Sequence, residues 1–267
     1  LSSDTDFTGP AAMVHHMEAA ARAQGFFVVT VGIDANDEES VQSGIDHLMK
    51  LGIEGLALVT PQLRAVEIAR AAVSGIPVVT LDSMYRMDEL AVSVDNFAGS
   101  AAATQHLIDL GHKNIVHISG PQGWFESTTR AAGYTATMLN ANLTPQVIDG
   151  DWQIDTGYRI GKKLDIDSKQ VTALFIANDR MSLGFMHAMR ERGIEVPKRL
   201  SIVGFADLEE TAYSSPPLTT LRQDFKSLGN RAMNLLLSEI SGTATKKLDR
   251  LVPELIQRSS TAAPPKL

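Results

Sequence analysis

No cysteine occurs anywhere in the 267 residues, so a disulfide scaffold, a thiolate metal site and a catalytic thiol are all excluded. The same absence suits a cytosolic, cytoplasmic protein, though exported bacterial proteins often lack cysteine too. Long apolar runs are missing as well: none approaches the roughly 20 residues that span a bilayer, and nothing resembles a signal peptide. Positive charge is scarce. Lys and Arg number 24 against 31 Asp and Glu, a formal charge of -7, which disfavours a nucleic-acid surface because phosphate contacts need concentrated cations. Any DNA contact would come from residues outside these. No His-Glu-x-x-His, Walker loop, Gly-x-Ser-x-Gly elbow or glycine-rich dinucleotide fingerprint occurs, so neither catalysis nor a metal or cofactor is expected. His15 and His16 are adjacent on a helix and poor metal geometry; most of the seven histidines read as surface or interface residues.

What is present is alternation. The segments 27–31, 55–59, 77–81, 115–118, 173–176 and 201–203 are short and apolar on successive positions, as parallel strands covered on both faces must be. Between them lie helical lengths at 10–24, 39–51, 62–73, 97–110, 124–140, 155–164, 179–192 and 224–241. In 97–110, Phe97, Ala101, Thr104, Leu107 and Ile108 share one side, the period of a helix laid on a sheet. The repeated step predicts an α/β, doubly wound body with right-handed crossovers. Gly25, Gly52, Gly75, Gly111 and Gly193 read as helix C-caps, and Asp37, Asp95 or Asn96, Asp179 and Asp224 as acceptors at helix starts.

The first strand is nearly missing: Leu1-Ser2-Ser3 leads straight into a loop and a helix at Pro10, which suggests that a longer polypeptide precedes it. Asp95-Asn96 marks a change of lobe. The run 251–256 reads as a last or edge strand, since Pro253 removes a ladder donor. Beyond Arg258 the chain reads as a frayed end.

Leu110-Gly111-His112 followed by Ile118-Ser119-Gly120-Pro121, then Arg130-Ala131-Ala132-Gly133-Tyr134, Ala177-Asn178-Asp179 and the run 216–225 occur in this order. In these pieces and their spacing the whole chain resembles the effector-binding region of the LacI/GalR family of bacterial transcription regulators. That resemblance implies two similar doubly wound parallel-sheet lobes of the type I periplasmic-binding-protein kind, joined by three crossovers. The expected boundaries are 1–94 with 225–250 for one lobe and 95–221 with 251–260 for the other, with 222–224 as crossover and 261–267 as tail. It also implies a homodimer, a small-molecule effector held between the lobes, and operator DNA read by an N-terminal helix-turn-helix domain absent from this chain.

The resemblance places ligand contacts at Asp82, Arg130, Trp152 and Asn178, with Phe225 and Phe7 as apolar walls and Trp124 at the rim; Asp179 and Asp207 are less certain. Each has an ordinary alternative. Asp82 suits a strand's C-terminal end, where open parallel sheets bind ligands, or a capped turn. Arg130 offers a fork of donors or is a solvated helix residue. Asn178 can serve a hydroxyl or cap a helix, and both if Asp179 takes the capping. Trp152 stacks on a ring or on a loop; Phe7 and Phe225 fit a core equally well. The family usually carries two acidic residues where Ala206-Asp207 stands, so the first carboxylate is gone, at a cost on the order of 1–3 kcal/mol for an unmet ligand hydroxyl. The dimer surface implied by the resemblance takes Leu183, Met186 and Arg190 from one lobe and Met13 and Met17 from the other, although such stripes also suit a core. The function expected is a sugar- or polyol-sensing regulator, purines remaining open, with an exported sugar-binding protein of a transporter as the alternative.

Overall fold

The computed structural model describes residues 1–3, 8–60, 62–81, 90–167, 170–243 and 248–265. The chain divides into two units, Leu1–Val94 with Asp224–Leu251 and Asp95–Gln223 with Val252–Leu267. It therefore passes between them three times.

The first unit opens with β1 (Ser2–Ser3), α1 (Thr8–Ala23), β2 (Gly32–Ile33), α2 (Glu38–Lys50), β3 (Leu56–Val59), α3 (Leu63–Ala72), β4 (Val78–Leu81) and β5 (Leu90–Val94). The second holds α4 (Asn96–Asp109), β6 (Ile115–Ile118), α5 (Phe125–Asn140), β7 (Gln146–Ile148), α6 (Ile154–Lys163), β8 (Ala173–Ile176), α7 (Asp179–Glu191), β9 (Ser201–Val203), a 3-10 turn (Glu209–Tyr213) and β10 (Thr220–Arg222). Then α8 (Phe225–Ile240) and β11 (Leu248–Leu251) belong to the first unit, and β12 (Glu254–Ile256) to the second.

The first sheet runs β11-β5-β4-β3-β1-β2 and the second β7-β6-β8-β9, every pairing parallel. Burial on both faces explains the continuous apolar strands: each residue of β6 and of β8 is buried. In the first unit Val41, Ile45 and Leu48 of α2 and Val66 and Ala69 of α3 close over Leu56 and Leu58 of β3. Leu58 is fully buried, a position whose truncation to Ala would cost about 2–5 kcal/mol. Asp37, Asp95 and Asp224 accept from Glu39, Ala98 and Ser227 amides at 3.1, 2.9 and 2.8 Å, each ending a helix's unpaired start. Glycine sets one close approach: a Cβ on Gly184 would lie 2.0 Å from the Ile154 carbonyl oxygen, so α6 and α7 pack backbone to backbone.

Several expectations are corrected. The segment 27–31 is not assigned as a strand; pairing starts where the Val31 carbonyl accepts from the Ser2 amide at 3.0 Å and Gly32 stands opposite Ser2. The strands β5, β7 and β10 were not anticipated. The run 251–256 is divided: β11 ends at Leu251 beside Val94, and β12 pairs antiparallel with β10. Nor is the chain frayed after Arg258. Ile202 donates to the Ser260 carbonyl at 2.8 Å, the Ser260 hydroxyl donates back to Ile202 at 2.6 Å, and Ala262 donates to Ser201 Oγ at 3.0 Å. The outer edge of β9 would otherwise bury unpaired backbone groups. Five of the seven histidines are exposed or half-buried, as expected of most of them, while His112 and His117 are 1% and 0% exposed. Among the described residues no helix is long and apolar enough to cross a membrane.

Candidate functional site

The C-terminal ends of the four parallel strands in the second unit carry, in turn, Gly120 after β6, Trp152 after β7, Asn178 after β8 and Phe205 after β9. Open α/β sheets bind ligands at this end of their strands.

Arg130 lies at the centre. It is 5% exposed; its Nε donates to Asn96 Oδ1 at 2.8 Å and its Nη1 to the Ala177 carbonyl at 2.6 Å. The guanidinium carbon stands 3.8 Å from the centroid of the Phe205 ring and 5.4 Å from that of Trp152. A cation held over aromatic faces in this way is stabilised by their quadrupoles. The helix that presents it is itself anchored, since the Ser100 hydroxyl donates to the Arg130 carbonyl. Arg130 is thus a buried, pre-positioned cation rather than a solvated helix residue.

Trp152 has a backbone φ of 69° and is 6% exposed. Its ring occupies the place a side chain on Gly120 would need: a Cβ there would lie 2.1 Å from Trp152 Cζ2. Trp124 meets it edge to face with centroids 6.0 Å apart. The Trp152 indole Nε1 is buried and has no hydrogen-bond partner among the described residues, a donor whose burial is costly unless something accepts from it.

Asn178 does both of the jobs that were open to it inside the protein. Its Oδ1 caps α7 by accepting from the Met181 amide at 2.8 Å, and its Nδ2 donates to the Trp152 carbonyl at 3.0 Å. The cap expected from Asp179 is therefore supplied by Asn178. Asp179 is fully buried and accepts from the Thr220 hydroxyl at 2.6 Å and the Leu208 amide at 2.9 Å. Burial pushes its pKa up to about 6 against the opposing pull of those two bonds. Both of its oxygens are engaged within the protein, one by Thr220 and one by Leu208.

Asp207 is similarly engaged. Its two oxygens accept from Arg222 Nε at 2.7 Å and Arg258 Nη2 at 2.5 Å. Ala206 itself sits at φ 137°, a region favourable only to glycine. Beneath Arg130, His117 stacks between Tyr134 and Phe175, with centroids 5.1 and 4.6 Å away, and donates from Nδ1 to the Phe175 carbonyl at 2.9 Å. Burial drives its pKa down to about 3, with the Phe175 bond opposing and the Arg130 cation assisting. The ring is neutral.

Phe7 and Asp82 lie outside the described residues. Phe225 opens α8 in the first unit, where its ring packs on Gly9: a Cβ there would be 3.1 Å from Phe225 Cε1. Met13 and Met17, each 3% exposed, turn into the first unit, and Gly229 of α8 would place a Cβ 2.6 Å from the Met13 carbonyl oxygen. This is the core-facing alternative. On α7, Met186 is 6% exposed, Leu183 half-buried and Arg190 exposed.

Two contributors were missed. Asn96 reads in the sequence as one of two cap candidates, and only the cap taken by Asp95 frees it to hold Arg130. Phe205 stands in the Val-Gly-Phe run, where its apolar neighbours suggest core alone.

The sequence matches the family described as periplasmic binding protein-like domain over residues 104–261. It is 32% identical over 258 residues to the HTH-type transcriptional repressor PurR of Haemophilus influenzae strain Rd, covering 94% of this chain and 76% of that repressor. It is 29% identical over 257 residues to the lactose operon repressor of Escherichia coli K12, covering 96% and 71%. The structure is similar to a dimeric Lac repressor with an 11-residue C-terminal deletion, at TM-score 0.91 and 28% identity over 98% of this chain and 97% of that one. It also resembles a transcriptional regulator CelR–cellobiose complex, at TM-score 0.83 and 26% identity over 97% and 82%. With the order of its motifs, the two parallel sheets and the Arg130 cluster at the strand ends, the chain belongs to the LacI/GalR family, as the effector-binding region of a transcription regulator and not an enzyme.

Proposed function

We propose that this region senses a carbohydrate or related polyol, and that the Arg130 cluster of the second unit binds it. The carrying observation is the arrangement of Arg130 over Phe205 beside the buried, unpartnered Nε1 of Trp152. A fixed cation and an indole N–H on an aromatic floor suit a ligand that pairs oxygen acceptors with an apolar ring face. Relatives described with cellobiose or as a lactose operon repressor support the same class. Asp82, Phe7 and Phe225 are further proposed ligand contacts, and Trp124 a proposed rim residue.

The protein acts in the cytoplasm as a homodimer, because two-fold operators are read by symmetric dimers. Leu183, Met186 and Arg190 contribute the proposed interface on α7. Operator DNA is bound through an N-terminal domain outside this chain. Effector and DNA affinities are reciprocally coupled.

Calorimetry against a library of mono- and disaccharides, polyols and purines tests the ligand class. A saccharide or polyol should bind, and Arg130→Ala should weaken that effector at least tenfold. Purine binding with no saccharide response overturns the class; an effector indifferent to Arg130→Ala overturns the site. Sedimentation at micromolar concentration tests the dimer.

A further inference from the structure

Beyond β12 the segment 257–262 runs along the edge of β9 at Ser201 and Ile202 without forming a strand. Backbone pairing there is sparse: Ser259 donates to the Pro217 carbonyl at 3.0 Å and Ile202 to the Ser260 carbonyl at 2.8 Å. Side chains supply much of the rest. Ser201 Oγ accepts from the Ala262 amide at 3.0 Å, and Ser260 Oγ accepts from the Thr219 amide at 2.8 Å while donating to the Ile202 carbonyl. Arg258 anchors the start of the segment to Asp207 and the Leu218 carbonyl.

Two histidines close over its far end. His112 Nε2 lies 2.9 Å from the Ala262 carbonyl, which can only accept, so this nitrogen carries the proton. Nδ1 then accepts from the Thr172 hydroxyl at 2.9 Å. His106 Nε2 meets the Thr261 hydroxyl at 3.0 Å, and Pro264 covers Gly111, its Cδ 3.6 Å from the place of a Cβ there.

The neutral His112 ring is thus satisfied on both sides while 1% exposed. A second ring proton would bring a buried charge, costly unless it is paired, and among the described residues no carboxylate pairs with it. From β8 and β9 it meets the hydroxyls of Thr172 and Ser201, Lys113 is exposed, and Arg258 is turned to Asp207. Burial holds its pKa below that of a free imidazole, with the Ala262 bond opposing and the His106 charge assisting. Burial lowers that of His106 as well, against the pull of Asp109.

We propose that residues 259–264 are a proton-released strap on β9, with His112 as the latch: uptake of a proton by this ring opens the strap and frees the backbone of Ser201 and Ile202. Because the ring binds its proton less tightly in the closed form, closure is complete above the free imidazole value of about 6.5 and weakens as pH falls below it. Release of one such ring shifts the balance towards the open form by up to about thirtyfold between pH 8 and pH 5.

Amide exchange at Ile202 and Ala262, expressed as protection relative to the unstructured rate at each pH, tests this. Protection should fall at least tenfold from pH 8 to pH 5, while that of Ala177, whose amide donates to the Ile118 carbonyl, holds. His112→Gln can donate to Ala262 and accept from Thr172 with no proton to gain, so it should lose most of the pH dependence. In the parent protein the nuclear magnetic resonance titration of the His112 ring should share its midpoint with the loss of protection, a readout that stands even where the Gln variant does not fold. Protection that is constant while His112 titrates overturns the proposal, as does the same pH dependence in parent and variant. A parallel loss at Ala177 overturns it too, since the whole unit then opens and not the strap.

Discussion

Arg130 Nε donates to Asn96 Oδ1 at 2.8 Å across 34 residues of sequence, so the first residue of α4 sets the position of the cation presented by α5. Asn96 is 1% exposed and Arg130 5%. A bond between two such buried groups is asymmetric: removing the acceptor leaves a charged donor without water to replace it.

Asn96→Ala should therefore weaken effector binding by about tenfold and destabilise the second unit by about 1–3 kcal/mol. Asn96→Asp keeps an acceptor and should retain most of both. Isothermal calorimetry and urea melts of the two variants check this; equal behaviour of the Ala and Asp forms would show that the bond does not position Arg130.

Gly120→Ala puts a methyl where the Trp152 ring lies, 2.1 Å from Cζ2. The indole must move, and overpacking of this kind costs about 1–3 kcal/mol. Tryptophan fluorescence should shift and effector affinity fall at least tenfold, with far-ultraviolet circular dichroism unchanged. An unaltered emission spectrum would contradict the packing.

Asp179 has a folded pKa of about 6 against an unfolded value of about 3.9. The folded state therefore binds the proton more tightly, and the group's stabilising contribution is complete below about pH 4 and lost as pH rises through 6. By pH 7 the charged, buried carboxylate costs up to about 3 kcal/mol relative to its neutral form. Asp179→Asn should consequently be more stable than the parent at pH 7.5, with the difference shrinking towards pH 4.5. The lowered pKa values of His106, His112 and His117 act in the opposite direction on acidification, so the parent-minus-variant difference in urea melts is the quantity to measure. A difference independent of pH would refute the assignment.

Ala206 holds φ at 137° while its amide donates to Leu221 and its carbonyl accepts from Gln223. Those bonds fix the backbone in a conformation costly to any side chain. Ala206→Gly should raise stability by about 1 kcal/mol, seen as a higher thermal midpoint, whereas Ala206→Val should lower it. A Gly variant no more stable than the parent counts against the strain.

Much of this was legible beforehand. The strands at 56–59, 78–81, 115–118, 173–176 and 201–203 fall within or match the apolar runs, because a strand buried on both faces must be apolar at every position. Gly25, Gly52, Gly75, Gly111 and Gly193 all have positive φ, a need that follows from ending a helix. At the site, Arg130, Trp152 and Asn178 were identified through the family motifs, and they do meet within the second unit. By contrast, no apolar run marks β7 or β10: β7 is no more than half-buried and includes Gln146, and β10 has Leu221 between Thr220 and the exposed Arg222.

Local order was thus written in the sequence, since helices and strands register their periods on neighbouring residues. Which partners the polar groups take was decided by tertiary structure alone. Asp179 reads in the sequence as a free carboxylate, and the fold brings Thr220, 41 residues away, and Leu208 to its oxygens, as it brings Arg222 and Arg258 to Asp207. Met13 and Met17 form a stripe equally suited to a partner or a core until α8 packs on α1. Each outcome depends on a residue far away in the chain, and a hydrogen bond or burial is a property of the pair that the fold brings together, with no trace in the periodicity of either segment.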